Sequence, residues 1–156
     1  MTIRRPTRLH DFPYVGFYRY SLRFATFGRD RHFVSPQHVE AARAQIQRTA
    51  DEDQFAVLAY CFMPDHLHLV VEGRAETSDL RRLAKVSKQR AAFVFRTKLN
   101  IPMLWQEGYY ERVLRSDEAT AVVVRYVFEN PVRAKLVQTP WEYPHSGGIL
   151  WSQMIT

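Results

Sequence analysis

The sequence has few cysteines and no long apolar segment, the features that stabilise secreted proteins through disulfides or anchor proteins in a membrane. It contains a single cysteine, Cys61, in 156 residues, which excludes an internal disulfide framework and suits the reducing cytoplasm. No apolar run approaches the roughly 18 residues that a membrane span requires, and residues 1–8 lack the apolar centre of a signal peptide. We therefore expect a cytoplasmic protein that has no membrane partner.

Repeats, low-complexity tracts and Gly/Ser linkers are also absent, which predicts one domain over residues 1–156. Within it we distinguish a basic N-terminal arm, residues 1–13, and a tail rich in Trp, Tyr and Pro, residues 138–156. The motifs Gly-x-x-x-x-Gly-Lys and His-Glu-x-x-His do not occur. Their absence argues against a P-loop nucleotidase and against a zinc protease of the His-Glu-x-x-His type.

What the sequence does have is an excess of positive charge. Lys and Arg number 22 against 16 Asp and Glu, a formal net charge of +6 with neutral His, which favours a polyanionic partner such as nucleic acid. Residues 74–98 hold eight cationic and only two acidic side chains. The candidate DNA-binding residues are Arg4, Arg5 and Arg8 in the arm and Arg81, Arg82, Lys85 and Lys88 in a predicted helix. A frayed terminus and a solvated helix face are the alternatives.

The first half of the chain predicts one strand, one helix and then a pair of strands. Alternating apolar and polar residues over 18–27 predict a strand, and Ser35 followed by Pro36 predicts the start of a helix. Two apolar, β-prone runs, 54–62 and 66–72, are separated by a three-residue turn. Strands joined by so short a turn should pair antiparallel.

The second half continues the alternation of helices and strands. The predicted elements are a helix from Ser78-Asp79 to about Leu99, a strand over 105–114, a helix from Ser116-Asp117 to about Asn130, where Pro131 ends it, and a short helical piece over 132–137. The whole order is β-α-β-β-α-β-α. We therefore predict an α+β fold, a ferredoxin-like antiparallel sheet with two helices on one face, plus an added C-terminal helix that carries Tyr126.

The first candidate for chemistry is the pair His66 and His68. In a strand, residues i and i+2 project from the same face, so two imidazoles can converge on one metal ion while Leu67 points to the opposite face. Two polar residues on the solvated face of a half-buried sheet would show the same pattern. The motif alone is therefore a weak signal for a metal site.

The second candidate is Tyr126 with Asn130. Residues four apart in a helix share a face, with Cβ atoms about 5–6 Å apart, so a phenol and a ligating amide can be presented together to the imidazoles. The alternative places Tyr126 in the core and has Asn130 hydrogen-bonding the helix end. Tyr109 and Tyr110 are rival nucleophiles, and strand geometry predicts that one of them is buried and the other exposed.

The two motif segments together resemble a known family. Met63-Pro-Asp-His-Leu-His-Leu-Val70 and Tyr126-Val-Phe-Glu-Asn-Pro-Val-Arg-Ala-Lys-Leu-Val137 are similar to segments of the HUH single-tyrosine transposases of the insertion-sequence type. Among these, the likeness is to the REP-associated tyrosine transposases. Both segments occur in the expected order, and the likeness extends from Tyr20 to Pro144.

The resemblance implies a DNA-binding enzyme that cleaves and rejoins single-stranded or hairpin DNA through a covalent 5′-phosphotyrosine. It implies that Tyr126 is catalytic and that a divalent metal ion, Mg²⁺ or Mn²⁺, is bound by His66, His68 and Asn130. By ligand preference alone Mn²⁺ suits two nitrogen ligands better. The implied partner is single-stranded or hairpin DNA. A monomer and a homodimer both stay open: the tyrosine helix serves its own histidine pair or, in a homodimer, the pair of the partner subunit.

Two residues depart from the family pattern. Lys135 stands where members commonly have Gly, a change that we expect to alter a turn or helix end rather than the chemistry. Asp65 replaces the more usual Asn before the first histidine, and we expect a hydrogen bond to the neighbouring backbone to survive the replacement.

Two other functions keep the same fold. A DNA- or RNA-binding regulator descended from a transposase would have the basic surface but only structural histidines. A hydrolase of small phosphoesters would use His66 and His68 without a tyrosine intermediate. The tail aromatics Trp141, Tyr143 and Trp151 can stack on unpaired bases or pack the tail onto the body, and packing is expected for at least two of them.

Overall fold

The structure, a computed structural model of the chain, describes residues 12–154. Its strands are β1 (Arg19–Ala25), β2 (Phe55–Met63), β3 (His66–Gly73), β4 (Tyr110–Leu114) and β5 (Ser146–Gly147), and its helices are α1 (Pro36–Glu52), α2 (Leu80–Lys98), α3 (Asp117–Arg133) and α4 (Trp151–Met154). Up to the end of α3 the order is β-α-β-β-α-β-α, as predicted. No helix within the described range is long and apolar enough to cross a membrane.

The sheet has the strand order β4-β1-β3-β2-β5. All four pairings are antiparallel, and the first four strands with α1 and α2 form the predicted ferredoxin-like unit. The fifth strand was not predicted. It has only two residues, paired with Tyr60 and Cys61 of β2, and it returns the tail to the edge of the sheet.

The two faces of the sheet pack against different helices. Leu67, Leu69 and Val71 of β3 point into one core, which α1 and α2 complete. Residue Val70 points the other way, into a second core that includes Val127 of α3. Because side chains alternate along a strand, His66 and His68 lie on the face that α3 covers.

Side-chain caps begin the three long helices, as the sequence predicts. The Ser35 hydroxyl accepts from the His38 backbone N–H, and the Ser116 hydroxyl accepts from Ala119 N–H at 3.0 Å. The Asp79 carboxylate accepts from the N–H groups of Arg81 and Arg82. Each cap satisfies donors that a helix start otherwise leaves unpaired, which is typically worth about 1 kcal/mol.

Arg19 ties the start of α3 to the sheet. Its guanidinium donates to the Thr120 hydroxyl at 3.1 Å and lies 2.8 Å from the Asp117 carboxylate. It also pairs with Glu72 on β3. The first turn of α3 is therefore fixed to both central strands.

Helix α3 does not end at Asn130, as was predicted, but continues through Pro131 to Arg133. Pro131 lacks a backbone N–H, so α3 loses the hydrogen bond that this residue would donate. The residues after Pro131 keep their own N–H donors, and the last turn of the helix can still form. The helix ends where Lys135 N–H donates to the Val132 carbonyl (3.0 Å) and Leu136 N–H donates to the Pro131 carbonyl (2.9 Å). The separate helical piece predicted over 132–137 is therefore wrong: its first residues belong to α3 and the rest form this turn.

The expected strand over 105–114 is also shorter than predicted. Only Tyr110–Leu114 forms β4, while Trp105 makes a single bridge to Thr26. Between them Gly108 has a φ of 78°, a left-handed conformation that interrupts a strand. The Lys88 ammonium donates to its carbonyl at 2.6 Å, which holds this segment against α2 instead of in the sheet.

The tail aromatics mainly pack, as expected for at least two of them. Tyr143 is buried and its hydroxyl donates to the Phe62 carbonyl at 2.5 Å. The Trp151 ring meets the Phe128 ring edge-on, with centroids 4.8 Å apart. Trp141 is 59% exposed. The division into an arm, a body and a tail stays a prediction, and residues 1–11 of the arm lie outside the described residues.

Candidate active site

The histidine pair projects from the start of β3 toward α3. The centroids of the His66 and His68 rings are 4.9 Å apart and the rings are nearly perpendicular. Leu67 between them is fully buried on the opposite face. The two imidazoles therefore lie side by side on one face of the sheet, as strand alternation predicts.

Asp65 fixes the orientation of His66. Its carboxylate lies 2.7 Å from His66 Nδ1 and accepts from Arg29 Nε at 2.9 Å. Burial opposes ionisation of Asp65, but the hydrogen bonds from His66 and Arg29 outweigh it and lower the pKa of the carboxyl. A carboxylate at Nδ1 places the imidazole proton there and leaves Nε2 with its lone pair.

The replacement of Asn by Asp before the first histidine therefore has a different result from the one expected. The Asp65 side chain bonds the side chains of His66 and Arg29 rather than the neighbouring backbone. Its backbone carbonyl accepts from Thr26. The departure from the family pattern supplies a full negative charge behind His66.

Both imidazoles are held neutral. Burial, followed by the influence of His66, Arg23 and Arg133, lowers the pKa of His68 to about 3. Burial also lowers the pKa of His66, against the opposing effect of the hydrogen bond that His66 donates to Asp65. Neutral imidazole is the form that can donate a lone pair to a metal ion, so neither ring has to lose a proton at neutral pH before it can act as a ligand.

Tyr126 on α3 faces the histidine pair and is not a core residue. Its side chain is 55% exposed, and its ring is edge-on to the ring of His68 with centroids 6.4 Å apart. The guanidinium of Arg133 lies over the face of the phenol ring, 3.6 Å from the ring centroid. The alternative that packs Tyr126 in the core is therefore wrong.

A cleft of about 370 Å³ opens between the sheet and α3. His68 and Tyr126 line it, together with Ser21, Arg23, Tyr110, Arg112 and valines of α3. The rival tyrosines differ as predicted, although not through strand alternation, because Tyr109 precedes β4. Tyr110 is exposed in the same cleft, whereas Tyr109 is half-buried and packs edge-on against Phe24, with centroids 5.8 Å apart.

Asn130 lies one turn after Tyr126 on α3. Its amide nitrogen is buried and makes no hydrogen bond to any described residue, so the side chain does not bond the helix end as the alternative requires. Buried amides are rarely left unpaired. A half turn of the amide exchanges nitrogen for oxygen and would offer an oxygen ligand.

Two neutral imidazoles with an amide oxygen would suit a divalent cation. Among residues 12–154 no group of three or more His, Cys, Asp or Glu side chains is arranged to hold a metal ion, so an amide is the type of third ligand that the prediction requires. An amide oxygen with two imidazoles leaves positions for water and phosphate oxygens, which suits Mn²⁺ or Mg²⁺. The assignment of Asn130 as that ligand remains a prediction.

The predicted cationic helix, α2, lies across the sheet from the cleft. Arg82 pairs with Asp53, and the Arg81 guanidinium lies 4.8 Å from the centre of the Tyr14 ring. Lys88 bonds the carbonyls of the 105–110 segment, and Lys85 is exposed. DNA contacts by these residues stay a prediction, while Arg4, Arg5 and Arg8 lie outside the described residues.

Sequence reasoning missed the arginines that do surround the site. Arg23 and Arg112 line the cleft, and Arg133 contacts Tyr126. The alternation of β1 contained a signal for Arg23, because it places this side chain on the face opposite the buried Leu22 and Phe24. The contact of Arg133 depends on the continuation of α3 past Pro131, which the sequence did not indicate.

Comparisons with known sequences point to one family. Residues 17–130 match the family described as "Transposase IS200 like". A Haemophilus influenzae protein provisionally named as a REP-associated tyrosine transposase is 25% identical over 121 residues, which cover 70% of this chain and 68% of that protein.

Two solved structures share the fold. A REP-associated tyrosine transposase bound to a REP hairpin superposes with a TM-score of 0.78 at 16% identity, over 96% of this chain and 86% of that one. A Deinococcus radiodurans protein provisionally described as a transposase gives a TM-score of 0.52 at 22% identity, over 78% of this chain and 96% of that one. The resemblance predicted from the two motif segments is confirmed. Because the family match extends over residues 17–130, more than half of the chain, the chain belongs to the IS200-like transposase family.

Proposed function

We propose that this transposase cleaves and rejoins single-stranded DNA beside a hairpin, with Tyr126 as the nucleophile and a divalent metal ion held by His66, His68 and Asn130. One observation supports the proposal most. An exposed phenol lies edge-on to the second of two neutral, adjacent imidazoles, with ring centroids 6.4 Å apart, at a cleft that contains two arginines.

The reaction uses Tyr126 as a covalent carrier of the DNA 5′ end. The phenol oxygen forms a bond to phosphorus, the bond from phosphorus to the 3′ oxygen breaks, and the phenol proton is transferred, directly or through solvent, to the departing 3′ oxygen. The products are a 5′-phosphotyrosine and a free 3′-OH. The reverse attack by the same or another 3′-OH rejoins the strand without ATP, because the ester bond is conserved.

The chain's own residues prepare this step. Asp65 holds His66 with Nε2 available, and the low pKa of His68 keeps that ring unprotonated. Arg133 holds the phenol by ring contact and by a hydrogen bond to the Tyr126 carbonyl at 2.5 Å. When bound, the metal ion supplies Lewis acidity that polarises the phosphate and orients it for attack.

The proposed substrate is a DNA hairpin with a single-stranded flank. The relative with a TM-score of 0.78 is bound to a REP hairpin, and the net charge of +6 favours a polyanion. The cleft contains two arginines and no carboxylate among its described lining residues, so it is suited to the anionic backbone of a strand.

The test is capture of the covalent adduct. The full chain is incubated with Mn²⁺ and labelled hairpin oligonucleotides that carry randomised single-stranded flanks, and adducts are separated under denaturing conditions and mapped by mass spectrometry. We expect one phosphorylated residue, Tyr126, and no adduct from Tyr126→Phe. Tyr18→Phe, a change in an exposed tyrosine outside the cleft, serves as the matched control and keeps the adduct.

The other outcomes identify the alternatives. An adduct on Tyr110 moves the nucleophile to the neighbouring strand. DNA binding without any adduct, with or without Mn²⁺, supports the non-catalytic regulator. Turnover of small phosphoesters that His68→Ala abolishes and Tyr126→Phe leaves intact supports the hydrolase. If mixing Tyr126→Phe with His68→Ala restores the adduct, the tyrosine acts on the histidine pair of a partner subunit.

A further inference from the structure

Arg23 is a half-buried cation that lacks an acceptor in the described part of the chain. It lies on β1 directly opposite His68 on β3 and opposite Tyr110 on β4. Its Nε is buried and has no hydrogen-bond partner among residues 12–154. Asp65 acts on the Arg23 charge, but that carboxylate is already bonded to Arg29 and His66. A buried N–H donor without an acceptor is unfavourable, so Arg23 Nε is free to donate to an anion that enters the cleft.

Arg23 lines two neighbouring spaces on this side of the sheet. The side chain lines the cleft of about 370 Å³ with His68 and Tyr126, and it also lines a neighbouring cavity of about 100 Å³ with Arg29 and residues 106–110. It therefore stands at the junction of the two spaces. A DNA strand that passes from the larger cleft into the smaller cavity would bring its phosphate backbone past the Arg23 guanidinium.

The Arg23 side chain shares a cleft with the proposed reacting groups. Arg23, His68 and Tyr126 all line the cleft of about 370 Å³, and no carboxylate is among its described lining residues. A phosphate that lies beside His68 and Tyr126 is therefore within the space that the Arg23 guanidinium also lines.

We propose that Arg23 is a catalytic residue whose guanidinium binds a non-bridging oxygen of the phosphodiester that Tyr126 attacks. This inference rests on the proposed function. Arg23 stays protonated and transfers no proton: it binds the phosphate in the ground state and opposes the negative charge that builds on the non-bridging oxygens while the phenol bond forms and the 3′ bond breaks. The planar donors of arginine match phosphate oxygens better than the single ammonium of lysine.

The first experiment measures binding without cleavage. Oligonucleotides recovered from the hairpin pool are made with one neutral methylphosphonate at a time along the single-stranded flank, and their affinity for Tyr126→Phe protein is measured in EDTA. We expect one position at which neutralisation weakens binding about tenfold. Arg23→Gln in the same background should weaken binding of the all-phosphate strand by about the same factor, reduce the salt slope by about 1, and cause no further loss at that position.

The second experiment measures the adduct with Mn²⁺. We expect Arg23→Gln to slow formation of the Tyr126 adduct by about 10²-fold to 10³-fold, and Arg23→Lys to recover part of the loss. Arg125→Gln removes the same charge one residue from Tyr126 but outside the cleft, and it keeps the rate. Melting curves show whether each variant is folded. If Arg23→Gln fails to fold, the methylphosphonate series still tests the contact, because it uses Tyr126→Phe protein in which Arg23 is intact.

The outcomes separate this inference from the proposed function. Adducts at wild-type rate and unchanged affinity in Arg23→Gln overturn the inference and leave strand cleavage standing. A loss of affinity that is equal for all-phosphate and every methylphosphonate strand also overturns it, because the contact is then not with one phosphate. A single sensitive phosphate that depends on Arg23, in a protein that forms no adduct, supports the contact and overturns cleavage. Failure of the pool to bind at all overturns both.

Discussion

The guanidinium of Arg133 lies 3.6 Å from the centre of the Tyr126 ring and donates to the carbonyl of the same tyrosine at 2.5 Å. One arginine therefore holds both the phenol and the backbone of the residue that we propose as nucleophile. The contact exists because α3 continues two residues past Pro131. It restricts the rotation of an otherwise exposed side chain on the cleft side of the helix.

We expect Arg133→Met to slow adduct formation about twofold to fivefold, since a cation–π contact of this kind is worth about 0.5–1 kcal/mol. Methionine keeps an apolar stem but removes the charge and the donor. The rate of adduct formation at saturating DNA is the measurement. Arg125→Met, an exposed arginine outside the cleft, is the control; equal rates in the two variants would contradict a role for Arg133 in holding the phenol.

Asp65 should control metal affinity. We expect Asp65→Ala to weaken Mn²⁺ binding by about 10-fold to 100-fold, because His66 loses the carboxylate that orients its ring and fixes its proton on Nδ1. Titration calorimetry of the DNA-free protein measures this directly. Asp51→Ala, in an exposed residue of α1, is the matched change; wild-type affinity in Asp65→Ala shows that the carboxylate does not support the metal site.

Lys135→Gly should stabilise the protein. Lys135 has a φ of 61°, in the left-handed region where a side chain costs about 1–2 kcal/mol relative to glycine, and it occupies the position after the helix that glycine prefers. We expect the free energy of unfolding to rise by about 1 kcal/mol, net of the extra flexibility that glycine gives the unfolded chain. Urea denaturation measures the change. Ala134→Gly is the control, since Ala134 has a helical φ of −78° and glycine there should lower stability.

The thiol of Cys61 should be inert in the folded protein. Burial raises its pKa to about 12, so the reactive thiolate is about a thousandfold scarcer at pH 8 than in an ordinary thiol. We expect alkylation of the folded protein at pH 8 to be at least about a thousandfold slower than that of the denatured protein, because the thiolate is scarce and the sulfur is buried. Mass spectrometry after timed alkylation measures both rates. A folded protein that reacts as fast as the denatured one would show that the thiol is accessible.

Local patterns in the sequence predicted the elements that local chemistry determines. Ser35 and Ser116 mark helix starts because their hydroxyls cap backbone donors within three residues. The common face of His66 and His68 follows from strand alternation alone. The order of strands and helices then specified the ferredoxin-like unit, and the motif segments identified the family.

Contacts between distant residues were beyond such patterns. Gly108 takes a left-handed φ, and Lys88, twenty residues earlier, bonds its carbonyl, so an apparently continuous strand is divided. Pro131 looked like a helix end because the pattern does not show that only one bond is lost there. The lack of an acceptor for Arg23 Nε among the described residues is a property of the folded site, where the neighbouring Asp65 carboxylate is already bonded to two other side chains.

The tail has a consequence for how two copies of the chain can associate. Beyond α3 it folds back, inserts the Tyr143 hydroxyl onto Phe62 and adds Ser146–Gly147 to the edge of β2. At the other end of α3, Arg19 binds the first turn through Thr120 and Asp117. A domain swap of α3 between protomers would require both attachments to break and the tail to cross to the partner subunit. The structure therefore favours an arrangement in which each Tyr126 lies beside the histidines of its own chain.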